Sequence, residues 1–481
     1  MPEGGSILYD AAPNTVEISA RPAYRFRKLF RSQFLRHNAI FMAGAVGVGF
    51  LNYAFYPIMG RILQPDAFGE VQVLFSLFAQ ITIFLNVLSL LTVTITANYT
   101  DLGRRDRMVR ELEKLALAGG VTFVIAAALA APVLRNFFHF EHTLPFVLLA
   151  LAVLAGTPLA FRSGFLRGRK KFGLVTSISL AASVANIIFS ASLATAGLGS
   201  AGVLAGLAIG QAIGFGLAAF LARQQGLGST RAIAMAKVGD AGAADLSDLS
   251  DSSSGSNPRD IKKGGIDFSL ITPELKYAGL VLIGSLCVTS MYSLDTIVIK
   301  HYFDAQTAGL YAGIATVGRI IFFITASVLQ VMLPSVKQQA GKQQNQRLLS
   351  KSLLLLLVTG GLPLLAFTLF PERIITLLMG NTYAPYAHLL PALGLAMLIV
   401  AALNLLVMYH IALRRFAAGI IAVAGIVSTY LLIILFHHTP GQIVACLCIG
   451  STLSLVVLGV WSGRQVLTRA PARTQEGGTP A

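Results

Sequence analysis

Along most of the chain, apolar residues run without a break for about twenty positions at a time, the length a helix needs to cross a hydrocarbon core. The runs are continuous and do not alternate, so they predict helices and exclude a barrel, the only other structure that satisfies its own backbone groups in lipid. Spans fall at about 38–59, 70–98, 115–134, 144–161, 174–196 and 200–222, and again at about 277–299, 309–333, 352–370, 387–409, 416–436 and 441–462. The pattern predicts an all-α integral membrane protein with twelve transmembrane helices, six on each side of a polar interval.

That interval reads AGAADLSDLSDSSSGSNPRD at its centre, a Ser, Asp and Gly mixture that cannot bury a core. It predicts a disordered linker; a regulatory or partner-binding segment is the other reading. The expected organisation is a basic amino tail over 1–37, a first bundle over 38–222, the linker over 223–275, a second bundle over 276–463 and a carboxy tail over 464–481.

Composition supports the bilayer as solvent: 55% of the 481 residues are hydrophobic and only 12% are charged, against about 25% in a soluble domain. The net charge of +16 changes the picture only through its placement. Laid on alternate sides of twelve spans, the 37 lysines and arginines share the side of the amino terminus, except Arg61, Arg135, Lys300, Arg373 and the in-span Arg319. The positive-inside rule puts both termini and the linker in the cytoplasm, in the cytoplasmic membrane. The charge is then a topology signal and implies no nucleic-acid partner. The amino tail, with Phe26, Phe30 and Phe34 at helical spacing among basic residues, either lies on the anionic lipids of the inner leaflet or is a solvated tail.

Chemistry of other kinds is sparse. Cys287, Cys446 and Cys448 all lie in apolar runs, and Cys446 and Cys448 point to opposite sides of one helix. His139, His142, His437 and His438 sit in short loops without a ligand set, so neither metal nor cofactor is expected. The longest outer segment has about sixteen residues, too short to present the groups of a membrane polymerase or ligase, so an enzyme is not expected.

The halves resemble each other. GRILQPDAFGEVQ aligns with KHYFDAQTAGLYA, placing Gly69 on Gly309, and FLRGRKKFG aligns with HIALRRFAAG, placing Lys170, Lys171 and Phe172 on Arg414, Arg415 and Phe416. Two matches at nearly equal offsets indicate duplication of a six-helix unit. An even number of helices gives both copies one orientation, so the predicted symmetry axis lies along the membrane normal, with the pathway between halves.

GRILQPDAFGEVQVLFSL, FLRGRKKFG, YSLDTIVIKHYFDAQTAGLYAGIATVGR and TLLMGNTYAPYAHLLP together resemble the polysaccharide-biosynthesis and O-antigen flippase family, within the multidrug/oligosaccharidyl-lipid/polysaccharide exporter superfamily. The resemblance runs from about Leu35 to Gly463. It implies two six-helix bundles around a central cavity, alternating access, and a substrate of the undecaprenyl-diphosphate-linked oligosaccharide type. A small-molecule antiporter of the same fold is the main alternative.

Ionisable groups deep in a bilayer are functional candidates. Arg319 stands about ten residues, hence about 15 Å, into the eighth span. It is either a ligand for a diphosphate, whose oxygens match a guanidinium fork, or one side of a structural salt bridge with Asp295. Asp295 is in turn the best carboxylate for H+ or Na+ coupling. Thr316 shares a helix side with Arg319. Gln72, Ser76 and Gln80 recur every fourth residue in the second span, and Asn52 and Tyr56 in the first span and Asn404 and His410 in the tenth are further polar candidates. At the cytoplasmic entrance Arg167, Lys170, Lys171, Arg414 and Arg415 would attract an anionic headgroup, although positive-inside topology explains them equally well.

Overall fold

A computed structural model describes residues 33–98, 102–226, 272–333, 336, 342–415 and 417–467. The expected amino tail, linker and carboxy tail lie almost wholly outside these residues. The described chain is all-α, without strands. The first half comprises α1 (Gln33–Ile62), α2 (Pro65–Asn98), α3 (Leu102–Phe138), α4 (Leu144–Gly168), α5 (Phe172–Leu193) and α6 (Gly199–Gln224). The second comprises α7 (Thr272–Tyr302), α8 (Ala305–Gly318), α9 (Ile320–Met332), α10 (Lys342–Leu369), α11 (Pro371–Leu378), α12 (Leu390–Ala412), α13 (Ala417–Leu435) and α14 (Pro440–Leu467).

Ten stretches are long and apolar enough to cross a membrane. One of them, residues 172–224, is two helices: between α5 and α6 the chain reverses through Gly197 (φ 92°) and Gly199 (φ 52°), a left-handed geometry that glycine adopts without strain. α5 then packs back along α6. With α1, the spans among the described residues number twelve, the count the apolar pattern predicts.

Element ends differ where polar residues join a helix. The Arg104–Lys114 stretch, expected as a loop, is the start of α3, because its charges are paired: Arg105 meets Asp106 at 2.7 Å and Arg162 of α4 meets Glu113 at 2.9 Å. The segment before the tenth span, expected as a plain loop, forms α11 and a 3-10 helix over Asn381–Leu389. Its Tyr383 is buried edge-on to Phe68, ring centroids 6.0 Å apart.

The backbone repeats as the sequence does. Lys171 N–H donates to Leu166 and Arg415 N–H to His410, at 2.9 and 3.0 Å. Lys170 (φ 59°) and Arg414 (φ 55°) occupy the same left-handed position of two matching helix-ending turns. At the opposite end, Phe68 N–H reaches Gln64 as Ala308 N–H reaches Asp304, both at 2.9 Å. Gly69 and Gly309, equivalent in the repeat, pack on each other: a Cβ on Gly69 would stand 2.9 Å from the Gly309 Cα. The halves meet where a residue faces its own counterpart, as an axis along the bundle requires.

Contact between the halves is one-sided. α2 packs against α8 and α7, and α3 touches α7. At the end carrying Ile62 and Tyr302, Arg61 donates to the Leu377 carbonyl, the His301 and Phe137 rings stack at 4.0 Å, and the Lys300 ammonium lies 5.4 Å from the centre of the Phe140 ring. Going toward the other end, hydrogen bonds between α2 and α7 among the described residues stop at Gln80 and Ser290.

Candidate functional site

The deepest charges form one cluster within the second half. Arg319 stands at the junction of α8 and α9, only 6% exposed. Its Nε donates to the Tyr292 carbonyl at 2.7 Å and its Nη2 to Asp295 Oδ1 at 2.5 Å. The second Asp295 oxygen accepts from the Tyr311 hydroxyl at 2.8 Å. Of the two expectations for Arg319, the salt bridge is formed in this conformation. Burying two ions costs several kcal/mol each in desolvation, which only such a saturated set of partners offsets. Asp295 has a side chain wholly removed from the surface. It lies behind Arg319 and not on a cavity wall.

Beside the cluster, α2 and α7 are joined by a polar seam. The Ser76 and Thr296 hydroxyls are 3.0 Å apart. Gln80 Nε2 donates to Ser293 Oγ at 3.2 Å, and its Oε1 accepts from Ser290 at 3.4 Å. The i, i+4 stripe read from the sequence is therefore a face of α2, but Gln80 spends both ends of its amide across the seam. Gln72, one turn from Ser76, is 2% exposed, and its Nε2 has no protein hydrogen-bond partner.

A partly enclosed cavity of about 430 Å³ lies in front of the seam. Its wall takes Asn52, Tyr53 and Tyr56 from α1, Gln72, Phe75, Ser76 and Thr82 from α2, Ser179, Ser183 and Asn186 from α5, and Gln211 from α6. The second half contributes Tyr292, Ser293, Thr316, Arg319 and Phe323. The cavity exists because the repeat is asymmetric here: α7 packs against α2, whereas its counterpart α1 packs mainly along α5. The Tyr53 hydroxyl of α1 reaches the Thr316 carbonyl of α8 at a long 3.5 Å.

Of the residues expected from sequence, Asn52, Gln72, Ser76, Thr316 and Arg319 share this wall. Gln80 and Asp295 adjoin it without lining it. Asn404 lies apart, at a crevice among α9, α10 and α12. His410 is fully buried, with neither ring nitrogen hydrogen-bonded, edge-on to Trp461 at 4.9 Å. Its repeat counterpart Leu166 is equally buried, so the position asks for bulk.

Solved structures share this arrangement of helices. An inward-facing multidrug resistance MATE family transporter of the MOP superfamily aligns with a TM-score of 0.68 at 12% identity, over 88% of this chain and 96% of its own. The lipid II flippase MurJ, in an inward closed conformation, aligns with a TM-score of 0.67 at 13% identity, over 89% of this chain and 87% of its own. The MATE multidrug transporter DinF-BH aligns at 0.58 and 14% identity, over 89% of this chain and 95% of its own. The chain has their fold. No family model matches it, and no curated protein matches its sequence.

The cationic residues expected at the entrance end two equivalent helices. Arg167, Lys170 and Lys171 are exposed at the end of α4, and Arg414 is exposed and Arg415 half-buried just after α12. Sequence reasoning missed the cavity face of α5. Its signal was present: Ser179, Ser183 and Asn186 fall at i, i+4 and i+7 within an otherwise apolar span, one side of a helix. Ser183 donates to the Asn52 Oδ1 at 2.8 Å, tying that face to α1.

Proposed function

We propose that the chain is an alternating-access flippase that moves a lipid-linked oligosaccharide, of the undecaprenyl-diphosphate type, across the cytoplasmic membrane for cell-surface polysaccharide synthesis. The observation that carries this reading is a polar cavity between two repeat-related halves that are held together at one end only. With the basic loops placed inside, the sealed end faces outward and the cavity is reached from the cytoplasm. Two of the structural neighbours, a multidrug transporter and a lipid II flippase, support movement of a substrate through such a cavity. The lining favours the glycan-lipid over a cationic drug, since no carboxylate among the described residues faces the space.

Asn52, Gln72, Ser76 and Thr316 are the proposed substrate contacts, with Arg319 at the floor and Gln80 in the seam beside them. Asp295 is the proposed coupling site: H+ or Na+ arriving there would release Arg319 and Tyr311 and loosen α7 from α8. Arg167, Lys170, Lys171, Arg414 and Arg415 gather the anionic headgroup at the entrance. The test is reconstitution of the full chain in proteoliposomes. Transbilayer movement of a fluorescent undecaprenyl-diphosphate-linked oligosaccharide is expected, with no efflux of a lipophilic cation. The opposite pair of results would replace this reading with the antiporter. A cysteine at Ser253, in the linker, is expected to resist membrane-impermeant reagents added outside intact cells.

A further inference from the structure

We propose, resting on the flippase reading, that this cavity recognises its ligand as an uncharged sugar, and that the diphosphate of a lipid-linked glycan does not bind at Arg319. Among the described residues around the cavity Arg319 alone is charged. That charge is already matched by Asp295 at 2.5 Å, with Nε turned to the Tyr292 carbonyl. A diphosphate brought here would meet an ion pair that is already neutral, leaving its own charge without a partner in a poorly hydrated place. A lipophilic cation meets the same objection, because the one nearby carboxylate already holds a guanidinium.

What the wall does offer is amides and ring faces. Asn52, Gln72, Asn186 and Gln211 stand around the same space as Tyr56 and Phe75. An amide presents a donor and an acceptor together, the pairing that sugar hydroxyls and acetamido groups require. An aromatic face packs against the C–H face of a pyranose by dispersion. Gln72 stands at the same wall with its Nε2 buried and unpartnered by protein; an ordered water, or a turn of the side chain toward the cavity, would satisfy that donor. The volume of about 430 Å³ suits a short stretch of glycan, within the range of about 300–1,000 Å³ common to ligand pockets. Charged headgroup oxygens then remain with the exposed cations at the ends of α4 and α12.

The full chain, held in lipid nanodiscs, is to be applied to an array of neutral, N-acetylated and acidic glycans, with vesicles containing undecaprenyl diphosphate and, separately, tetraphenylphosphonium as competitors. Retention on neutral glycans is expected, weakened about tenfold by Asn186→Leu and by the near-isosteric Gln211→Met. The double variant Arg319→Ala/Asp295→Ala is expected to weaken that retention less than Gln211→Met does. Gel filtration and thermal unfolding of each variant separate lost recognition from lost fold, and Gln211→Met, the milder change, decides if Asn186→Leu fails to fold. Binding to no glycan, or to acidic glycans alone, overturns the proposal. So does undecaprenyl diphosphate binding that disappears in the double variant, though the flippase reading then stands. Tetraphenylphosphonium displaced by none of the glycans and lost in Gln211→Met would remove the flippase reading itself.

Discussion

The two halves repeat one scaffold and fill the same positions with opposite chemistry. Carried along each helix from the aligned turns, Asp295, Tyr311 and Arg319 of the second half fall on Phe55, Val71 and Ala79 of the first. Phe55 and Val71 are as deeply buried as Asp295 and Tyr311. Conversely, Asn52 and Gln72 of the first half fall on Tyr292 and Ala312, and Ser179, Ser183 and Asn186 of α5 fall on Val423, Val427 and Tyr430 of α13. One half thus carries a closed ion pair and the other an open set of amides and hydroxyls. Since the same helix geometry is reached with an apolar core in the first half, the fold does not require the ion pair. A buried pair of charges is a poor stabiliser relative to well-packed apolar groups, and the coupling role proposed for Asp295 would account for its presence.

The largest effect should come from splitting that pair. Arg319→Ala strands the buried Asp295 carboxylate, to which, among the hydrogen bonds of the described residues, the Tyr311 hydroxyl still donates. A destabilisation of about 3–5 kcal/mol is expected, read as lower abundance and a lower thermal midpoint in detergent. Adding Asp295→Ala should restore most of the abundance by making the second half resemble the first. Coupled transport should stay lost if Asp295 carries the ion. A single Arg319→Ala protein with normal stability would mean that water or another group already compensates Asp295, and the contrast between halves would lose its energetic basis. Arg319→Lys is expected to fall between, because an ammonium cannot hold both the Tyr292 carbonyl and the carboxylate in one plane.

Next in size is the point where the halves meet themselves. A Cβ on Gly309 would overlap the Pro65 carbonyl, so Gly309→Ala should cost about 1–3 kcal/mol or part the sealed end. Gly69→Ala, facing the Gly309 Cα, should do the same more mildly. Loss of cysteine cross-linking between positions 61 and 377, with helix content unchanged, would identify parting. Unaltered cross-linking and stability in both variants would show that α2 and α8 do not bear on each other as closely as the repeat axis demands.

Much of this is legible in the amino-acid sequence. The twelve spans follow from apolar length alone, and the repeat from two short matches whose hydrogen bonds prove superimposable. Arg319 and Asp295 stand out because ionisable groups in lipid are rare. Tyr311, which completes their cluster, does not, since a tyrosine within a span is unremarkable until its hydroxyl is seen to reach a carboxylate. The α5 face escapes notice for a related reason: serine and asparagine in a membrane helix commonly bond to their own backbone or to a neighbour. Neither the α3 start nor α11 can be read from apolar runs, because both are amphipathic helices at the end of a span. The hollow itself comes from α1 packing mainly along α5, an arrangement that no local pattern encodes.

A smaller effect is expected in the seam. Gln80→Leu removes hydrogen bonds to Ser293 and Ser290 and leaves two hydroxyls, of which Ser293 still bonds to the Thr289 carbonyl at 2.7 Å. A loss of about 1 kcal/mol is expected, as a lower unfolding midpoint. An effect above that of Arg319→Ala would mean that the seam between the halves carries more of the stability than the ion pair inside the second half.

The smallest effect on the fold should come from Gln72, and it sharpens the comparison most. Its repeat counterpart, Ala312, is buried without any polar group to satisfy. Gln72 Nε2 likewise finds no protein partner, so the folded state gains no hydrogen bond from it. Gln72→Met keeps the volume and removes an unsatisfied donor; stability should stay level or rise by about 1 kcal/mol. If the amide is there for a ligand, the same change should lower glycan binding while the unfolding midpoint holds or rises. A fall in the midpoint would instead mean that an internal water satisfies Gln72, and its place on the cavity wall would then be structural.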